Sequence, residues 1–490
     1  MDIHLHPLPQ QEPVWMSNFE KALLHVTALV MLLYAFGRNI YSMSVDFAHH
    51  FLVVEYLANH WRADIGSYGN MASMAHYPEG SHYLTLAVSA LSGSSYSALC
   101  FVALISVYFA YFAASRIAIC RLPRWSIVPF LAIIAPLSIT HAIPGYEIIS
   151  NFLFSQIVGA ALYFCLLVVL MDERIARPIR IWMTIPVAAV LMTIHALPAL
   201  NLTATAGMIL VISETKFFLK QRKMSAKGFA QLAAFGLISL GMLAVHPSFA
   251  EMRALADNNG ALDLGISLRY LVALAIATSC ASLWFTLHSK TATFVDVVTT
   301  AALTGAIILA VAQAIVLIVG HAGSWYAVKK HMFFIVPLCA IALSRLASSL
   351  MPRLPRDNLG ARSSFIVAVV AGSLLTARVY SSQVLLPTWV VNDQIAYAKD
   401  AVQNDFPAYE FGNTAVLASS VEPTIRYMIS LSVFGLPFND RSVALLGGTK
   451  DPNIAPYLML DRKQASSKCD ERYAETSKFV IVPARCYVPN

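Results

Sequence analysis

Two stretches of this sequence place unusual side chains where they could do chemistry. The first is Ser44-Val45-Asp46-Phe47-Ala48-His49-His50-Phe51. A helix capped by Ser44 or Asp46 puts Asp46 at i and His49 and His50 at i+3 and i+4, on one face. A carboxylate held there can take a proton from a hydroxyl, with imidazoles to orient it. The same three residues are the candidates for sharing a divalent metal ion. The plainer reading is a solvated helix start whose Asp and His only cap and hydrogen-bond. Phe47, Phe51, Val54 and Leu57 form a separate apolar face, expected to lie on the membrane. The second stretch is Trp325-Tyr326-Ala327-Val328-Lys329-Lys330-His331, at the start of an apolar run. Two lysines and a histidine there either snorkel to lipid headgroups or hold an anion, and phosphate is the obvious anion at a membrane surface.

Shorter signals accompany these. Tyr77-Pro78-Glu79-Gly80-Ser81-His82 is a turn fixed by Pro78 and Gly80, with Glu79 and His82 beside it. Glu147 is the only acid in its loop, and a solvent-facing turn residue is the simpler reading. His195, in Ile194-His195-Ala196-Leu197-Pro198, either faces a cavity or partner or is satisfied by a carbonyl freed near Pro198. The sequence has no Walker A motif, no GxGxxG after a strand, no CxxC, no HExxH and no GxSxG. Nothing in it points to ATP hydrolysis, dinucleotide binding or a serine nucleophile.

The elements that must position these residues are set by composition. Of 490 residues, 12% are charged and 58% hydrophobic. Soluble domains carry roughly 25% charge, so this chain cannot cover a water-facing surface. That composition argues against a secreted globular enzyme, a coiled coil, a disordered chain and a nucleic-acid binder. Eleven apolar runs serve as crossings, near 20–37, 95–115, 126–143, 151–171, 181–195, 197–214, 228–245, 267–287, 297–319, 328–347 and 364–386. The fifth and sixth are short and meet at His195–Pro198, as in a bent hairpin. Residues 82–92 are too short to span and read as an interfacial helix.

With the N-terminus in the cytoplasm, seventeen Lys and Arg fall inside and six in the outside loops, a positive-inside bias. An odd number of crossings then puts the C-terminus outside. The first crossing reads as an uncleaved anchor. The expected division is a transmembrane domain over 1–386, with a large outside loop at 38–81, and a soluble α/β domain over 387–490. In that tail Ala415–Ala418 and Phe479–Val482 read as buried strands and Ser420–Ser430 as a helix with Pro423 in its first turn. Cys469 and Cys486, the two cysteines of the tail, invite a disulfide in an oxidising compartment.

Together these pieces resemble the GT-C class of multi-span glycosyltransferases, in particular bacterial members related to the arabinofuranosyl- and mannosyl-transferase groups. Four features carry the resemblance: Asp46-x-x-His49-His50 in the first outside loop, the loop-closing Tyr77-Pro78-Glu79-Gly80-Ser81-His82, the aromatic-lysine motif Tyr326-Ala327-Val328-Lys329-Lys330-His331, and an outside C-terminal domain after about eleven spans. The sequence departs from the pattern in having a lone Asp46 in place of an adjacent acidic pair, and Trp-Tyr where paired tyrosines are commoner.

The resemblance implies an all-α polytopic membrane protein of the bacterial inner membrane, with a small α/β domain outside. It implies sugar transfer on the outer face from a polyprenyl-phosphate donor to an envelope glycan, lipid or protein. Asp46 would be the base of an inverting reaction. Tyr326, Lys329, Lys330 and His331 would bind the donor phosphate. His49, His50, Tyr77, Glu79, His82, Glu147 and His195 would contact substrates. No cofactor is required beyond, at most, a divalent metal, and no nucleic acid is a partner. A flippase or transporter for a lipid-linked glycan is the reading from another class. Few mid-span charges and no two-fold repeat count against it. A glycan polymerase or ligase is the nearer rival.

Overall fold

The computed structural model describes residues 44–60, 72–122, 126–137, 140–223, 225–255, 257, 260–350, 387–400, 403, 416–418, 423–436, 455–462, 471–472, 474–475 and 479–486. The chain divides into two compact units. One, here the span unit, comprises Met1–Leu32, Ser106–Pro144 and Gly159–Val379; the other, the loop–tail unit, comprises Leu33–Ile105, Gly145–Val158 and Tyr380–Asn490.

In chain order the first helices are α1 (Val45–Asn59), α2 (Gly80–Ser92) and α3 (Ser95–Ile119), with a 3-10 turn at Ala72–His76 before α2. Then come α4 (Ile127–Leu137), α5 (Tyr146–Ser150), α6 (Phe154–Leu170), α7 (Arg177–Trp182) and α8 (Thr184–Met192). They are followed by α9 (Ala196–Gln221), α10 (Ala226–Val245), α11 (Pro247–Ala254), α12 (Leu268–His288) and α13 (Phe294–Gly320). The last of this series are α14 (Trp325–Lys330) and α15 (Met332–Leu350). The tail contributes α16 (Thr388–Asp400), β1 (Val416–Ala418), α17 (Pro423–Ser432), β2 (Tyr457–Asp461), β3 (Ala474–Glu475) and β4 (Phe479–Pro483).

Among the described residues six helical segments are long and apolar enough to cross a membrane: α3, α9, α10, α12, α13 and the joined α14–α15, Trp325–Ser349. The chain is a multi-pass membrane protein of mostly helical architecture. On α10 the exposed Leu237, Ile238 and Leu240 lie on a helix apolar all round, as a lipid-facing span requires. The expected crossings at 20–37 and 364–386 lie outside the described residues. Three others form shorter helices than their apolar runs suggested. Of the 126–143 run, Ile127–Leu137 is helical and residues 140–143 are not, and 181–195 is broken at Met183. The 17-residue α6 is slightly short for a perpendicular span. Conversely α9 runs on to Gln221, well past the expected end at 214.

The span unit is tied by small residues and hydroxyl pairs. A Cβ on Gly305 of α13 would meet Ala204 of α9 at 3.1 Å, so glycine lets the two backbones approach. Ser279 pairs with Thr304 at 2.8 Å, Thr286 with Thr300 at 2.9 Å and Tyr163 with Thr205 at 3.0 Å. Arg345, counted as an orientation signal in the sequence, has a packing role. It is buried, its Nε donates to Asp296 Oδ1 at 2.8 Å, and its Nη1 donates to the carbonyls of Ile117 and Cys120. One guanidinium thus joins α13 and α15 and satisfies carbonyls at the end of α3 that the helix itself cannot pair.

The loop–tail unit holds a four-stranded sheet in the order β1-β2-β4-β3, with β1 parallel to β2 and the other pairs antiparallel. Strands at 416–418 and 479–483 and a helix begun by Pro423 match the local pattern of the sequence. The apolar face of α1 is a correction. Phe47, Phe51, Val54 and Leu57 are buried inside the protein, with Phe47 edge-on to Tyr96 and to Phe152. Lys399 of α16 pairs with Glu55 of α1 at 2.5 Å, and Asn392 bonds Ser94 and Ser97. Cys120, Cys165, Cys280 and Cys339 take part in no disulfide. Cys469 lies outside the described residues, and the expected pair with Cys486 lies there with it.

Candidate active site

In the loop–tail unit the site begins at the cap of α1. Ser44 is the N-cap, its hydroxyl accepting the Phe47 N–H at 3.4 Å. That fixes Asp46 in the first turn, where the helix dipole favours a carboxylate. The Asp46 side chain is 46% exposed, and one turn on, the buried His49 turns Nδ1 to within 3.7 Å of Asp46 Oδ1.

His50 goes elsewhere. Its Nδ1 lies 2.9 Å from His82 Nε2, the two rings stacked at 5.2 Å, with Phe154 against both. A nitrogen–nitrogen contact this short holds one proton between two acceptors, so the pair cannot carry two charges. Burial pushes His82 down to about 4, a bond to the Pro78 backbone only partly opposing it, and the ring stays neutral at pH 7. Tyr77 lies edge-on to His50 at 5.5 Å. Its hydroxyl is pushed up, first by burial and then by the charge of Asp46, so it remains a phenol able to donate.

Thus Asp46, His49, His50, Tyr77 and His82 come together in one unit. His49 and His50 nevertheless face different partners. Among the described residues no three His, Cys, Asp or Glu could hold a metal ion, and the suggested set of Asp46, His49 and His50 does not converge on one point.

Glu79 sits at the start of α2 and accepts the Tyr83 hydroxyl at 3.0 Å. Glu147 is buried in the first turn of α5, where Gly145 adopts φ +111° before it and Phe152 φ +48° after it. Its carboxyl is pushed well above the usual range by burial, with its own N–H and that of Gly145 opposing. The solvent-facing reading of Glu147 is therefore overturned, because the segment folds inward. A positive φ at an aromatic residue such as Phe152 is uncommon and held only by its surroundings.

In the span unit Ser324 caps α14, its hydroxyl accepting the Ala327 N–H at 3.2 Å. The helix carries Trp325, Tyr326 and Lys329 along a groove of about 650 Å³ whose other wall is the segment Gly260–Leu268. Lys329 Nζ donates to the Leu262 carbonyl at 2.9 Å. Lys330 instead turns over the Tyr326 ring, 4.5 Å from its centroid. Gly260 also comes close to that ring, where a Cβ would sit 3.1 Å from ring atoms. His331 is buried, its Nε2 2.6 Å from Gln313 Oε1, and does not line the groove. His195 caps α9, Nδ1 accepting the Leu197 N–H at 3.1 Å; its backbone partner is thus an N–H and not the freed carbonyl that the plainer reading expected.

Sequence reasoning missed two participants. Asp263 lines the groove with Lys329, an acid within a run that reads as ordinary loop. Tyr427 of α17 brings its hydroxyl to 3.5 Å from His49 Nε2. No local signal marks it, because the link spans 378 residues.

No family model matches the sequence, and no curated protein matches it either. Among solved structures the chain is similar to ArnT from Cupriavidus metallidurans bound to undecaprenyl phosphate, with 12% identity and a TM-score of 0.47 over 97% of this chain and all of that one. The same protein in the apo state gives 13% identity and a TM-score of 0.43, over 96% and 99%. An oligosaccharyltransferase from Archaeoglobus fulgidus in the apo form gives 11% and 0.39, over 92% of this chain and 71% of that one.

Proposed function

We propose that this protein is a membrane glycosyltransferase that moves a hexosyl or pentosyl group from a polyprenyl-phosphate donor to a glycan, lipid or protein acceptor. The reaction takes place on the outer face of a bacterial inner membrane, with the N-terminus cytoplasmic. The observation that carries the reading is Asp46, a half-exposed carboxylate on a capped helix start, backed by a buried imidazole and beside a tyrosine that stays protonated.

Asp46 accepts the proton of the acceptor hydroxyl as its oxygen attacks the anomeric carbon. The bond from that carbon to the lipid phosphate breaks, the phosphate leaves with the electron pair, and the configuration inverts. Lys329 neutralises the departing phosphate, where negative charge develops, and Trp325 and Tyr326 flank the lipid-linked group. Tyr77 donates to a substrate oxygen, and the tail helps to select the acceptor.

Asp46→Asn should lower transfer by the purified protein by roughly 10³-fold, within the range that general-base catalysis supplies. Its melting curve in detergent should match wild type. Wild-type-like turnover would sink the assignment.

A further inference from the structure

Arg177, Arg180 and Lys216 gather at the end of the span unit far from the Lys329 groove. The helix α13 begins at Phe294 and runs 27 residues to Gly320 before the chain reaches α14. At 1.5 Å per residue that is about 40 Å, enough to cross the bilayer. Over the Phe294 ring lie the Arg180 guanidinium, 4.7 Å from the centroid, and the Arg177 guanidinium, at 5.7 Å. Arg177 also donates to the Ser213 hydroxyl of α9, three residues before Lys216.

The acids whose charges reach these cations are Asp172, Glu173, Asp296 and Glu214. Three are already held: Asp172 by Arg174 at 2.6 Å, Glu173 by Arg121 and Asp296 by Arg345 at 2.8 Å. That leaves Glu214 to oppose three positive charges. Arg180 is buried; its Nη1 donates to the Leu170 carbonyl at 2.5 Å, while Nε has no hydrogen-bond partner among the described residues. Arg177 is exposed and Lys216 half-buried, so both can meet a ligand. Cations packed with this little compensation call for an anion. The border of the cluster is apolar: Ile179 and Met183 near Arg180, and Phe218 and Leu219 near Lys216, are exposed. Guanidiniums suit a phosphate, and exposed apolar side chains beside them suit acyl chains, which a free phosphate lacks.

We infer that Arg177, Arg180 and Lys216 form a binding site for the headgroup phosphate of an anionic phospholipid, on the membrane face opposite the Lys329 groove. The site is independent of the sugar-transfer reaction.

The test titrates the full chain in nonionic detergent with short-chain phosphatidylglycerol, short-chain phosphatidylcholine and inorganic phosphate. Phosphatidylglycerol should bind saturably, and the other two roughly tenfold or more weaker. Arg177→Gln with Lys216→Gln should weaken phosphatidylglycerol binding by roughly 10- to 50-fold, as expected for two basic residues at a lipid surface. Lys220→Gln with Lys223→Gln removes the same charge from exposed positions nearby and should leave binding unchanged. In the wild-type protein, phosphatidylglycerol should shield Lys216 from an amine-acetylating reagent while Lys220 stays reactive, a readout that needs no variant.

Equal weakening by the two double variants would reveal diffuse attraction to a basic surface and overturn the inference. So would free phosphate or phosphatidylcholine binding as tightly as phosphatidylglycerol, or Lys216 acetylation that the lipid leaves unchanged. Neither measurement reads sugar transfer, so the outcome is separate from that of Asp46→Asn.

Discussion

Asp46 and Lys329 both stand near the ends of helices, yet they are held in opposite ways. Around Asp46 side chains hold one another: His49 against Tyr427, His50 against His82 and Ser81 against Ser155 at 2.8 Å, all buried. Around Lys329 the partners are a main-chain carbonyl and the walls of an open groove, and Lys330 rests on an aromatic face. A buried polar network fixes direction and tautomer, and each member left without its partner is costly. An ammonium on a flexible stem is a point charge that tolerates small displacements. Proton transfer needs the first kind of control; neutralising a phosphate needs only the second.

Breaking the two arrangements should therefore have unequal effects. The loss expected for Asp46→Asn, on the order of 10³-fold in kcat, is the largest. Lys329→Ala should come next, raising donor KM by roughly 10- to 100-fold with kcat little changed, as for loss of a charged hydrogen bond. Lys330→Ala should raise donor KM by less, because Lys330 acts through Tyr326; equal effects from the two lysines would erase the distinction drawn between them.

The buried network should also respond to acid. His82 titrates at about 4 in the folded chain against 6.5 when free, so the unfolded chain binds more protons between those values. Its contribution is complete above pH 6.5 and is lost as pH falls toward 4, at up to about 1.4 kcal/mol per pH unit. Melting temperatures followed from pH 7 to 5 should fall, and His82→Gln should flatten the slope. An unchanged slope would mean that the stacked pair does not govern acid stability.

The smallest effect is expected at Glu147. Burial raises its carboxyl, so the folded chain keeps a proton that the unfolded chain releases, and stability is lost as pH rises above the ordinary carboxylate range. Glu147→Gln, neutral at every pH, should raise the melting temperature at pH 7.5 by roughly 2 °C. A fall would show that an ionised Glu147 is held by a partner.

The start of α1, the strands β1 and β4 and the Pro423 helix were legible because caps and short apolar runs act over a few residues. Hydropathy found the long spans for the same reason. Periodicity shows which face is apolar, but not what covers it, so Phe47 and Phe51 read as membrane-facing when their cover is Tyr96 and Phe152. Counting basic residues treated Arg345 as an orientation signal, blind to Asp296, its partner 49 residues earlier. Asp263 and Tyr427 were hidden for a related reason: what makes each of them informative is a neighbour far away in sequence.

The loop–tail unit is gathered from three widely separated stretches of chain, and this has a consequence for the protein's biogenesis. The acid and its imidazole emerge early, but Tyr427 follows His49 by 378 residues. At about 5–20 residues per second, ribosomes take roughly 20–75 s to cover that interval. Throughout it the first loop is made while α17, which packs in the same unit, is still unmade. A nascent chain stopped anywhere before α17 would carry Asp46 and His49 without the Tyr427 that packs against His49, and the loop–tail unit would be completed only near the end of synthesis.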